Sequence, residues 1–170
     1  MAVWPNLYAG QRATADLLTS MLPLHAAKAS STPRPSVTVI SPDPDLLLPV
    51  EANAQYLIHF YLRISGNPAA DMDIQFTTPA GCTGSYSVTG RLAGGAVGDA
   101  DVRTSTRLTF NVETTYSTPS TSAAQSNHGA GRLITGPNAG TLSIDWAQTV
   151  SNATASVMES DSWLTLKRIA

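Results

Sequence analysis

AQYLIHFYLRI, residues Ala54 to Ile64, is the stretch that decides the fold. Successive side chains of an extended strand point to opposite faces of its sheet. One face of this stretch is wholly apolar and consists of Tyr56, Ile58, Phe60, Leu62 and Ile64. The other face is amphipathic and consists of Leu57, His59, Tyr61 and Arg63. The first face must line a core, and what the second face contacts bears directly on function.

Short strand signals recur from Ser36 to the end of the chain. They are the segments SVTVIS (36–41), DLLLPV (45–50), MDIQFTT (72–78), GSYSVTG (84–90), RLTFNVETTY (107–116), GRLITG (131–136), GTLSIDWAQ (140–148), TASVMES (154–160) and SWLTLKRI (162–169). Turn residues separate them, and this spacing predicts an antiparallel sandwich or barrel. No helical pattern lies between consecutive strands, which excludes parallel crossover units. Pro49 predicts that the second segment forms an edge strand or a bend.

Residues 1–35 contain the helical pattern of the chain. In RATADLLTSMLP (12–23), Thr14 suits the N-cap and Asp16 suits the first turn. Apolar side chains follow at i, i+4 spacing: Leu17, Leu18, Met21 and Leu22. A helix of about eight residues that ends at Pro23 is marginal alone in water, so it must dock on its own domain, a symmetry mate or a larger assembly.

We therefore predict two parts. Residues 1–35 form an N-terminal attachment segment, which ends in the Ser- and Pro-rich hinge SSTPRPSV (30–37). Residues 36–170 form the β-sandwich domain.

Composition narrows the class of protein. The chain has 170 residues, of which 42% are hydrophobic and 13% are charged, with a net charge of −2. This near-neutral balance, without a basic cluster, argues against nucleic-acid binding. A weakly charged surface is usual where chains pack against other chains. The chain contains no apolar run long enough to span a membrane and lacks a secretory signal pattern, so we expect synthesis in a cytosol without membrane insertion.

Side chains that commonly carry catalysis or bind metals are scattered. His25, His59 and His128 lie far apart without metal-ligand spacing, and Cys82 occurs in a turn-like stretch. Aspartates occur in pairs beside turn signals, where their carboxylates bond to backbone N–H groups: Asp43 with Asp45, Asp71 with Asp73, and Asp99 with Asp101. We therefore predict no catalytic residue, no cofactor and no metal site. The protein is not expected to be an enzyme.

Three stretches together resemble a known family. They are AGQRATADLLTSMLP (9–23), DPDLLLPVEANAQYLIHFYLRISG (43–66) and GTLSIDWAQTVSNATASVMESDSWLTLKRIA (140–170). The combination resembles small virion proteins of tailed bacteriophages of actinobacteria, which are described as minor tail, tail fibre or head decoration proteins. The resemblance covers most of the chain and is weakest from about residue 93 to 119. It implies a jelly-roll-like domain similar to tumour-necrosis-factor-like trimers.

The resemblance also suggests two contact surfaces. In a homotrimer, Leu57, His59 and Tyr61 would pack on neighbouring subunits, whereas a monomeric sandwich would leave this face half exposed to water. Docking to the virion would use Trp4, Leu17, Leu18 and Met21.

The expected function is that of a non-enzymatic virion protein made in the bacterial cytoplasm. A tail protein could contact host cell-wall carbohydrate through loops Leu92–Asp101 and Tyr116–Gly131, which are rich in small polar residues. The alternative is a head decoration protein that stabilises the capsid lattice. A carbohydrate-active tail enzyme is a third hypothesis, but strand alternation places most carboxylates outward and provides no buried pair in a groove.

Overall fold

The computed structural model describes residues 8–90, 103–104 and 107–170. Within these ranges the chain forms one short helix, α1 (Ala15–Ser20), and twelve strands. The strands are β1 (Leu24–Ala27), β2 (Thr32–Arg34), β3 (Ser41–Val50), β4 (Gln55–Ser65), β5 (Met72–Thr77), β6 (Thr83–Gly90), β7 (Arg103–Thr104), β8 (Thr114–Tyr116), β9 (Gln125–Ile134), β10 (Gly140–Ala147), β11 (Ser156–Met158) and β12 (Trp163–Arg168).

The strands form two antiparallel sheets that pack on each other. The large sheet has the order β1-β12-β4-β9-β6-β7, and β11 joins it by pairing with both β4 and β2. The small sheet has the order β3-β10-β5-β8. The predicted all-β sandwich is therefore confirmed.

The topology is that of a jelly roll. Strand β3 pairs with β10, β4 with β9, β5 with β8 and β6 with β7, so that each pair is nested inside the one before it. Successive pairs fall alternately in the small and the large sheet. This arrangement is one long antiparallel hairpin rolled into two sheets, as expected for a jelly roll.

The alternating apolar residues of the strands build the core. All five residues on the apolar face of β4 are at most 2% exposed. Opposite them lie the inward residues of β5 and β10, all fully buried: Met72, Ile74, Phe76, Leu142, Ile144 and Trp146. The rings of Phe60 and Phe76 lie 4.7 Å apart, and those of Phe76 and Tyr86 lie 4.6 Å apart. The expected inward faces of these strands are thus confirmed.

Strand β3 lies at an edge of the small sheet, as Pro49 predicted. Proline cannot donate a ladder hydrogen bond and is therefore tolerated at an edge. Pro42 and Pro44 belong to the same strand.

Two predicted strands are wrong over most of their length, since only Ser41 of the first and Thr114–Tyr116 of the second belong to strands. Residues 36–40 of SVTVIS are not a strand, because Ser36 adopts a left-handed backbone (φ 55°) and its N–H bonds to Asn152 O. In RLTFNVETTY, Phe110 is buried but Val112 is 52% exposed. Asn111 between them has φ 60°, which breaks the alternation before β8 begins.

Strand β9 is longer than the predicted GRLITG segment, because it begins at Gln125. The predicted loop Tyr116–Gly131 is therefore strand over its second half. The predicted loop Leu92–Asp101 lies outside the described residues.

The large sheet takes in residues N-terminal to the boundary that we placed at residue 35. Strand β1 pairs with β12, and β2 pairs with β11. The predicted hinge is also bound to the sandwich, because the Arg34 guanidinium donates hydrogen bonds to the carbonyl oxygens of Ser41, Pro42 and Trp146. Of the described residues, only 8–23 precede the first strand, and from here on the name attachment segment refers to these residues alone and no longer to the predicted range 1–35.

Helix α1 begins as predicted. Thr14 is the N-cap, and its Oγ1 accepts a hydrogen bond from the Leu17 N–H at 3.2 Å. Asp16 lies in the first turn. The helix has six residues instead of about eight, because the chain already turns at Met21, before Pro23.

Candidate functional site

The solvent-facing side of the large sheet, which we call the outer face, contains the three residues predicted to form a subunit interface. Leu57, His59 and Tyr61 form a column along β4. Paired residues of adjacent strands share a face of the sheet. The partners of this column on β12 are Lys167, Thr165 and Trp163, and those on β9 are Arg132, Ala130 and His128. The column is therefore flanked on both sides by other strands and lies well inside the sheet.

Aromatic rings lie next to one another on part of the outer face. The rings of Tyr61 and Trp163 are nearly parallel, at 18° and 6.3 Å between centroids. His25 on β1 lies 6.2 Å from the same Trp163 ring. The Tyr61 hydroxyl is held 2.6 Å from Ser126 Oγ. These contacts form an aromatic strip in which Tyr61 and Trp163 are half-buried and His25 is exposed.

All three histidines of the chain lie on the outer face, although they are far apart in sequence. His25 and His59 are both paired with Thr165, from opposite sides, and His128 is paired with Tyr61. His25 Nδ1 is 2.9 Å from Thr165 Oγ1. The described residues contain no group of three or more His, Cys, Asp or Glu side chains placed to hold a metal ion. Sequence spacing gave no sign that the histidines would gather, because only strand pairing brings them together.

Charged groups lie toward the two ends of the outer face. At one end, Arg63 forms an ion pair with Asp161. At the other end, Arg132 donates to the side-chain carbonyl of Gln55, and Lys167 lies across from Leu57. Aromatic residues at the centre and charges at the rim are the usual distribution in protein–protein interfaces.

The attachment segment leaves its apolar side chains uncovered. No residue of α1 is buried. Leu18 is 56% exposed and Met21 is 39% exposed, while Leu17 is half-buried. The neighbouring Tyr8 and Leu22 are exposed as well. Trp4, the fourth predicted docking residue, lies outside the described residues.

A buried ion pair fastens the N-terminal strands to the sandwich. Lys28 Nζ lies 2.9 Å from both carboxylate oxygens of Asp43, and both side chains are fully buried. Asp45 lies 3.3 Å from the same Nζ. The indole N–H of Trp146 donates to Asp43 Oδ2 at 3.0 Å. The Arg34 guanidinium stands 4.1 Å above the Trp146 ring.

Burial lowers the pKa of Arg34, while the charges of Asp43 and Asp145 oppose that effect. A guanidinium nevertheless stays protonated in proteins, so Arg34 cannot act as a base. The Asp43 carboxylate is paired with Lys28 and accepts a hydrogen bond from Trp146. This cluster therefore holds the structure together and leaves no open position for a substrate.

The turn chemistry predicted for Asp43 is confirmed, but its inward direction was not foreseen. Asp43 Oδ1 accepts hydrogen bonds from the N–H groups of Asp45 and Leu46. The pairing of β3 with β10 skips between Leu47 and Pro42, so residues 43–46 bulge out of register. The alternating prolines and aspartates of this stretch were the available signal for such an irregularity.

Cys82 is half-buried and packs against the core. Within the described ranges, no helix is long and apolar enough to cross a membrane.

Comparisons with known proteins add little to this picture. The chain matches no protein-family model and no curated protein. Among solved structures it is similar to a chain of infectious bursal disease virus, Gt strain, with 11% identity over 96% of this chain and 44% of that one, at a TM-score of 0.19. A chain of the Gx strain has 10% identity over 88% of this chain and 37% of that one, at a TM-score of 0.17. This chain spans less than half the length of those viral chains, and likenesses at such TM-scores carry no argument.

Proposed function

We propose that this chain is a non-enzymatic structural protein of a tailed-bacteriophage virion. In this proposal, the attachment segment binds another virion protein, and the jelly roll is displayed on the particle surface as a homotrimer. The sequence resemblance stated above supports the phage context. The observation that carries the proposal is the apolar surface of the attachment segment.

That apolar surface is concentrated in a short part of the chain. The large hydrophobic side chains of the attachment segment that are exposed by 39% or more are Tyr8, Leu18, Met21 and Leu22. Contiguous apolar side chains on a protein surface mark contact sites for other molecules. A helix of six residues is also too short to be stable by itself, so contact with a partner would stabilise it. A protein that attaches to a larger particle accounts for both features.

The outer face supports the trimer. It combines the stacked Tyr61 and Trp163 rings with Leu57, which is 37% exposed and lies toward the end that carries Arg132 and Lys167. Aromatic residues are enriched in interfaces, and the charges at the two ends would lie at the rim. A second and a third copy would cover apolar area that the single subunit leaves in water.

Two positions on the particle fit this architecture. We propose a minor tail or tail-fibre position, in which the displayed domain contacts the host cell wall. The alternative is head decoration, in which the protein coats the capsid lattice and stabilises it. The copy number per particle separates them, because a tail protein is present in far fewer copies than a protein that covers a capsid.

Full-length point variants test the attachment. In Leu18→Glu/Leu22→Glu, two exposed apolar side chains of the attachment segment become charged, so the sandwich should remain folded while the protein is lost from purified particles. Val39→Glu/Val150→Glu is the matched control, since these valines are 77% and 58% exposed and lie outside the attachment segment. Quantitative mass spectrometry of particles gives the incorporated amount of each variant and the wild-type copy number. Wild-type incorporation of the Leu18/Leu22 variant would refute the proposed attachment.

A further inference from the structure

A polar cleft opens at the end of the outer face, beside the turn between β11 and β12. Its volume is about 250 Å³. Arg63 and Ser65 from β4 form one wall, Glu159 and Asp161 from the turn form another, and Ser122 precedes β9 on the third side. Pockets for drug-sized ligands span roughly 300–1,000 Å³, so this cleft suits one smaller molecule or one residue of a polymer.

Glu159 is held in a fixed position in this cleft. Ser65 Oγ donates to one carboxylate oxygen at 2.6 Å, and Ser31 Oγ donates to the other at 2.8 Å. The Glu159 N–H bonds to Arg63 O at 2.8 Å, and the Ser162 N–H closes the turn onto Glu159 O at 3.0 Å. A carboxylate has about four acceptor positions. The two oxygens of Glu159 therefore keep capacity for a ligand without having to reorganise.

The charges of the cleft favour a neutral ligand. Arg63 and Asp161 form an ion pair, so that Glu159 supplies the remaining single negative charge. An anionic ligand would be repelled by this carboxylate. Calcium prefers six to eight oxygen ligands, and here two carboxylates are present, one of them neutralised by Arg63.

The cleft contains both donors and acceptors, which suits hydroxyl groups. The guanidinium of Arg63 offers N–H donors beyond the one used by Asp161, since arginine has five. The carboxylates accept, and the serine hydroxyls can do both. Each hydroxyl of a sugar also donates and accepts, and hydrogen bonds to charged groups are the stronger ones.

We propose that this cleft binds one residue of a neutral sugar, a hexose or a pentose. The inference deepens the proposed function and depends on it for the source of the sugar, which would be a glycan of the host cell wall. Sugar binding by the isolated protein does not depend on it.

Nuclear magnetic resonance titration of the full-length protein tests the cleft. The probes are D-glucose, D-galactose, L-arabinose and N-acetyl-D-glucosamine, each alone. At least one should produce saturable shifts of the amides of residues 120–124 and 159–162, with a millimolar dissociation constant. Asp161→Ala and Arg63→Ala should each weaken this binding about tenfold, the usual consequence of losing a charged hydrogen bond. Glu51→Ala is the matched control, because it removes an exposed ion pair with Arg168 elsewhere.

Three results would overturn the proposal. They are the absence of saturable shifts for every sugar, equal affinity in Asp161→Ala and the wild type, or saturation of the same amides by calcium chloride alone. The titration uses no particles, so a negative result would not affect the attachment test with Leu18→Glu/Leu22→Glu. A negative attachment test would likewise not affect the titration. A tenfold higher affinity for soluble cell-wall polysaccharide than for the monosaccharide would support a glycan as the source, whereas equal affinity would support a free sugar.

Discussion

Lys28 and Asp43 form an ion pair with both side chains fully buried, and they join the two sheets of the sandwich at the N-terminal side of the domain. Lys28 directly follows β1 of the large sheet, and Asp43 lies in the bulge of β3 in the small sheet. A buried charge costs several kcal/mol unless it is paired and hydrogen-bonded. Here Trp146 and Thr32 complete the hydrogen bonding of the pair. The pair therefore specifies where the N-terminal strands attach.

Lys28→Met should strongly destabilise the fold. The substitution replaces lysine with an unbranched apolar side chain that is one atom shorter, and it leaves the Asp43 carboxylate buried without its cation. Breaking a buried pair in this way costs about 3–5 kcal/mol of the free energy of unfolding. Urea denaturation followed by circular dichroism measures it. Adding Asp43→Asn to Lys28→Met should recover part of the loss, because the uncompensated charge is then removed.

Glu51→Gln is the control for this prediction. Glu51 pairs with Arg168 on the surface, and the side chain of Glu51 is 71% exposed. Exposed pairs contribute about 0–1 kcal/mol. A cost of Lys28→Met no larger than that of Glu51→Gln would show that the buried pair does not stabilise the domain.

Two core tyrosines should make the protein sensitive to alkaline pH. Burial raises the pKa of Tyr86 to about 12 and raises the pKa of Tyr116 well above its usual value, with Tyr86 nearby adding to the second effect. In the unfolded chain both phenols ionise near pH 10. Above that pH the unfolded state loses protons that the native state retains, so stability falls as pH rises. The free energy of unfolding should begin to fall near pH 10 and continue to fall to about pH 12, by up to about 1.4 kcal/mol per pH unit for each tyrosine.

Urea denaturation between pH 8 and pH 11.5 measures this slope, and absorbance at 295 nm reports the ionised phenols. Tyr86→Phe should flatten the decline, because one of the two protons is no longer retained. The explanation fails if Tyr86→Phe and the wild type decline equally with pH.

Gly129 on β9 makes room for an aromatic ring of the core. A Cβ at this position would lie 2.5 Å from Phe60 Cζ and 2.1 Å from Ser87 O. Gly129→Ala should therefore force both the ring and strand β6 to move, at a cost of about 1–3 kcal/mol. Ala153→Ser is the matched control at an exposed position outside the outer face, where the change should cost less than 0.5 kcal/mol, roughly the usual limit for surface substitutions. Thermal unfolding of the two variants compares them, and equal midpoints would contradict the packing argument.

Strand alternation explains why so much of the fold could be predicted. In β4 and β5 every second side chain is apolar and buried, so the period of two identified both the strand and its inward face. The cap at Thr14 followed equally from local chemistry, since its side chain bonds to a backbone N–H three residues away. The prediction failed where a single backbone conformation overrode the pattern, as at Ser36 and Asn111, whose positive φ angles no apolar period reveals.

The candidate site was less accessible from sequence because it depends on pairing between distant strands. Leu57, His59 and Tyr61 could be assigned to one face from their spacing alone. That His25 and His128 share this face follows only from the registers of β1 and β9. Sequence also could not identify Lys28 as the partner of Asp43, because the two residues meet only where the two sheets pack together.

Leu57→Glu should dissociate the proposed trimer while leaving each subunit folded. Within one subunit the new carboxylate would lie between Lys167 and Arg132, its partners on the two neighbouring strands, and should not be destabilising there. In the trimer the carboxylate would be desolvated in the contact between subunits, and a loss of about 2 kcal/mol there corresponds to roughly a thirtyfold weaker association. Sedimentation equilibrium measures the association, with Val150→Glu as the control outside the outer face. A wild-type protein that sediments as a monomer at every concentration up to about 1 mM would refute the trimer, whatever the variant does.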